Sequence, residues 1–128
     1  MNWVNERVKC SLGQMFEQLK ADVQSDIEAR NSQLAQNAGF EFKMVSSRSN
    51  RFAVLKDNAQ EPFANRSMVF TLENSGIKVV DSDDNQVELM NATITFNDLG
   101  ECRFLVKGKE RESWQLRKDV LEPLFFVS

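Results

Sequence analysis

The spacing of apolar residues changes once along this chain, and that change fixes what the chain can fold into. From residue 3 to about 31 the apolar positions are Val4, Val8, Leu12, Met15, Phe16, Leu19, Val23 and Ile27, separated by three or four residues. That is the stripe of an amphipathic helix. From Phe40 the interval drops to two: Phe40, Phe42 and Met44 alternate with Glu41 and Lys43, and Phe52, Val54, Met68, Phe70, Leu72, Ile77 and Val79 continue the habit. Alternation of this kind belongs to half-buried strands.

Turn formers separate the alternating runs, as in "SSRSN", "DNAQEP", "ENSG" and "DSDDNQ". Six short strands are expected. Connections this brief favour antiparallel neighbours, because a parallel crossover needs a dozen residues or more. After Gln86 the alternation slips phase, which predicts a bulge near Met90. A second helix is expected from Ser113, with Trp114, Leu116, Val120, Leu121 and Leu124 on its apolar face and Pro123 ending or kinking it. The fold class is therefore α+β: a long N-terminal helix, an antiparallel meander of about six strands curved around its core, and a C-terminal helix packed on the sheet. At 128 residues the chain reads as one domain.

The first helix is long for such a globule. Unbroken from Trp3 to Asn37 it would span roughly 50 Å, against about 36 Å for the folded domain. It must break, for which Asn31 is the expected place, or overhang and pack on a second copy.

The nearest approach to a functional motif is "DSDDNQVE", residues 81–88, where Asp81, Asp83 and Asn85 alternate as in the opening of a calcium loop. The sixth place, which needs glycine, is Gln86, and the twelfth, which needs glutamate, is Ala92. The flanks favour strands, so a hairpin turn is expected here, without metal. Glycine-rich phosphate loops are absent, since Gly13, Gly39, Gly76, Gly100 and Gly108 are scattered.

Histidine is absent, which removes the commonest general base and zinc ligand. Cys10 and Cys102 lie far apart, and no positive-then-apolar segment heads the chain, so the expectation is a cytoplasmic protein with both thiols reduced. A net charge of −3, with both signs mixed, gives no footprint for nucleic acid, and no apolar run suits a membrane span. No cofactor is expected. An acid-only hydrolase would have to draw on carboxylates such as Asp81, Asp83, Asp84 and Glu88, and their abundance alone does not argue for one.

What remains is a supply of ten phenylalanines and five methionines. The sequence leans away from catalysis and towards a protein-binding module, one that associates with another protein or a second copy of itself. Trp3, Leu12, Phe16 and Leu19 are the expected contact residues, with Phe125 and Phe126 as a second set. The alternative is a carrier of a small apolar ligand between sheet and helix, walled by Phe42, Phe52, Phe70 and Phe104.

Overall fold

In the computed structural model, which describes residues 1–59, 65–82 and 87–126, the change of period marks the passage from helix to sheet. Helices α1 (Trp3–Lys9) and α2 (Leu12–Ser32) precede strands β1 (Phe40–Arg48), β2 (Arg51–Asn58), β3 (Arg66–Glu73), β4 (Gly76–Asp81), β5 (Val87–Phe96), β6 (Cys102–Val106) and β7 (Lys109–Arg111). Helix α3 (Ser113–Phe125) follows. The strands form one curved antiparallel meander in sequence order.

The expected long helix breaks twenty residues earlier than Asn31, at Cys10 and Ser11. Ser11 caps α2 by accepting from the Gln14 N–H at 3.2 Å, while Cys10 is drawn into a disulfide with Cys102 on β6. The thiols expected to be reduced are thus joined across 92 residues. No described helix is long and apolar enough to cross a membrane.

One sheet face makes the core. Cross-strand register aligns Phe52 with Phe70 and Phe70 with Val79, and Ile77 with Ala92. Onto these, α2 lays Phe16, Leu19, Val23 and Ile27, and α3 lays Leu116, Val120, Leu121 and Leu124, all at 2% exposure or less. Each large side chain so buried contributes about 1.5–3 kcal/mol, enough to hold helices whose own stability in water is marginal. Helix α3 runs two residues past Pro123 because Leu124 and Phe125 are buried there. Trp114, expected on its apolar face, is 54% exposed.

The buried residues of α2 and α3 all belong to the core on this face, and the opposite face is more open among the described residues. A single row of Val45, Ala53, Val69 and Val80 crosses four strands there, beside a polar row of Arg51, Thr71 and Lys78. The expected bulge is found where Val79 faces Met90 but Val80 faces Glu88. Both sheet edges are blunted: Asn31 binds the outer backbone groups of Phe42 on β1, and β7 is three charged residues long. Such edges resist strand addition by another chain.

Candidate functional site

Helices α2 and α3 lie side by side and run in the same direction, because three polar contacts join them in order. Ser113 Oγ donates to Asp22 at 3.1 Å, Arg117 Nη1 reaches both oxygens of Asp26 at 2.7 Å, and Arg30 Nε donates to the Phe125 carbonyl at 2.9 Å. Between them runs a groove of about 260 Å³ floored by Leu121 and Phe125. Trp114 and Phe126 flank it and are 54% and 61% exposed.

Both aromatics are held in place. The Trp114 indole N–H donates to Glu112 at 2.8 Å, and the Arg30 guanidinium lies 4.6 Å from the centre of the Phe126 ring. The groove's charges are mostly matched within the chain: Arg117 pairs with Asp26, and Lys118 with Glu122 at 3.3 Å. Arg30 has the helix-end carbonyl and the ring, which complement a cation without a full opposite charge.

The residues singled out from sequence fall in different places. Phe16 and Leu19 are in the core and give all their surface to this chain. Leu12 is half-buried against the same core, whereas Trp3, on α1, is 61% exposed. Phe125 is nearly buried beneath the groove, and Phe126 stands at its rim. The four phenylalanines expected to wall a ligand are core residues, and three of them are in ring contact with neighbours: Phe52 stacks on Phe70 at 4.6 Å, Phe16 tilts onto Phe52 at 5.3 Å, and Phe42 meets Phe125 at 4.7 Å. Phe104 is 1% exposed.

The carboxylates and thiols are also engaged. Asp81, at the end of β4, is 4% exposed and accepts from Arg66 Nη2 at 2.7 Å. Asp83, Asp84, Asn85 and Gln86 lie outside the described residues. Among the described residues no three metal-ligating side chains gather. Both sulfurs are consumed in the disulfide, so neither is a nucleophile in this state.

Trp114 and Arg30 were not legible as site residues. Trp114 shares the helical spacing of the buried α3 residues, and only the partner surface decides which of them is covered. Comparison with protein-family models, curated proteins and solved structures finds no match to this chain.

Proposed function

We propose that this chain is a non-catalytic protein-binding module that engages its partner through the groove between α2 and α3. The observation that carries the reading is the pair of fixed, more than half-exposed aromatics, Trp114 and Phe126, flanking an apolar groove with Arg30 beside them. Tryptophan and arginine dominate the energetics of protein interfaces, and rigid aromatics lose little entropy on docking. At about 260 Å³ the groove is below the roughly 300–1,000 Å³ of small-molecule sites. That size suits an anchoring side chain of a protein better than a whole ligand. The carrier reading would need space among phenyl rings that already touch one another.

The disulfide favours an oxidising compartment over the cytosol expected from sequence, since such bonds persist mainly outside reducing compartments. The test of the binding reading is quantitative affinity capture with the wild type and with Trp114→Ala, Phe126→Ala. Both side chains are exposed, so the variant keeps its fold. A partner held by the wild type should be weakened by at least about 2 kcal/mol in the variant. Equal retention by both proteins would overturn the assignment of the groove.

A further inference from the structure

We infer that the groove between α2 and α3 receives helix α1 of a second copy of this chain; the inference rests on the groove reading above. Helix α1 is seven residues long and buries none of them, yet Trp3, Val4 and Val8 are 61%, 50% and 71% exposed. A helix this short is marginal in water on its own. Here it is capped at its start and tethered beyond its end. The Asn2 side chain accepts from the Asn5 N–H at 3.2 Å, Arg7 donates to the Cys10 carbonyl at 3.1 Å, and the Cys10–Cys102 disulfide ties the helix to β6. Trp3, Val4 and Val8 are thereby held at the surface, each at least half exposed.

The groove is the complementary half. It is apolar, is flanked by exposed aromatics, and contains Arg30, which pairs with no carboxylate among the described residues. Helix α1 carries one acid, Glu6, one turn from Trp3 and therefore beside it on the helix surface. Glu6 is half-exposed and only 3.9 Å from Lys9, a weak contact that a better-placed cation would replace. Trp3 against the groove's aromatics, with Glu6 on Arg30, satisfies both surfaces at once.

Within one chain no residue of α1 lines the groove among the described residues. On α2 its lining begins at Asp26, fourteen residues from Leu12, which is about 21 Å of helix, while on α3 Trp114 and Arg117 also border a neighbouring pocket that contains Cys102. The disulfide holds α1 near the other end of α2. One short helix in one groove falls well below the roughly 800 Å² per partner of a stable interface. A two-fold dimer in which each copy lends its α1 to the other doubles the contact and closes it.

The experiment is light scattering on a size-exclusion column over a wide concentration series. It compares the wild type, Trp3→Ala, Trp114→Ala, Glu6→Arg, Arg30→Glu and the doubly reversed Glu6→Arg, Arg30→Glu. The expected result is a wild-type mass rising to twice the monomer. Dissociation should be about thirtyfold easier in Trp3→Ala and in Trp114→Ala. It should be about tenfold easier in each charge reversal, with recovery in the double reversal. Recovery matters because Arg30 also holds the end of α3, and a merely structural role would not be rescued by Glu6→Arg. A wild type monomeric at every concentration overturns the dimer while leaving the groove to be judged by its capture of a foreign partner. A dimer indifferent to Trp3 and Trp114 overturns the inference, since the copies then meet through another surface, and the groove reading is again decided by the capture experiment.

Discussion

Asn31 grips the backbone of Phe42 with both ends of its side-chain amide: Nδ2 donates to the Phe42 carbonyl at 2.8 Å, and Oδ1 accepts from the Phe42 N–H at 2.9 Å. Phe42 lies on β1, at the edge of the sheet beside β2, so these are groups that no further strand satisfies among the described residues. The last turn of α2 thus stands in for an eighth strand at one point. It also sets the distance between helix and sheet where the Phe42 ring enters the core.

Replacing Asn31 by alanine leaves a part-buried N–H and carbonyl without their partners. The expected loss is about 1–3 kcal/mol, read as a lower urea midpoint with an unchanged slope. Asn31→Asp should be no better, because a carboxylate can accept from the N–H but has no donor for the carbonyl. An aspartate variant as stable as the wild type would show that the donor half of the clamp contributes nothing.

The disulfide makes a second prediction. Closing a separation of 92 residues stabilises the fold by roughly 4–5 kcal/mol in the chain-entropy account. Alkylation of the native, non-reduced protein should find no free thiol. Reduction should lower the unfolding midpoint and speed amide exchange in residues 3–9 more than in α2, since α1 has no buried side chain to hold it. Native protein that alkylates at both cysteines would exclude the bond and return the compartment to the reducing one expected from sequence.

Why the break at Cys10 escaped the sequence is instructive. Val4, Val8 and Leu12 keep the same interval straight through it, and periodicity alone does not mark an interruption of two residues. A signal was nonetheless present: Ser11 followed by Gln14 is a capping-box pattern in the middle of the run. The disulfide had no such signal, because a distance in sequence says nothing about proximity in space. Strand β7 was hidden for another reason. Its three residues are Lys109, Glu110 and Arg111, without any apolar alternation, although Lys107 and Gly108 ahead of it both take positive φ, 52° and 78°, as a two-residue hairpin demands. The six longer strands were legible because each puts alternate side chains into one core. The groove was not, since Trp114 and Leu121 look alike on a helical wheel until the surface that covers one of them is known.

Calcium should leave the protein unchanged. Asp81, the first position of the would-be loop, is committed to Arg66. Ala92, at the place where a loop needs its closing glutamate, is 1% exposed in β5, paired in register with Ile77 on one side and Val106 on the other. A ligand that binds only the folded state raises the unfolding midpoint. Millimolar Ca²⁺ is therefore expected to give no shift beyond that of an equal ionic strength of NaCl, and a specific upward shift would reopen the metal reading.

Lys43 provides the one pH-dependent expectation. Register places Glu41 directly opposite Asp57, two like charges on neighbouring strands, and the Lys43 ammonium reaches Asp57 at 2.9 Å and Glu41 at 3.3 Å. Hydrogen bonding first to Asp57 and then to Glu41, with their negative charge, raises the Lys43 pKa above its ordinary value. A raised pKa means that the folded state holds this proton more tightly than the unfolded chain does. The stabilisation is complete below the unfolded lysine pKa and disappears as pH rises through the higher folded one. Since the ammonium is solvent-exposed, the effect on stability is small, and the titration itself is the better readout. Following the Lys43 side-chain resonances by NMR through the alkaline range, Asp57→Asn should bring the midpoint down further than Glu41→Gln, because Asp57 is the closer partner and the larger cause. The reverse order would mean that Glu41, the neighbour on the same strand, holds the proton, and that the cross-strand contact is too loose to bridge the opposed pair.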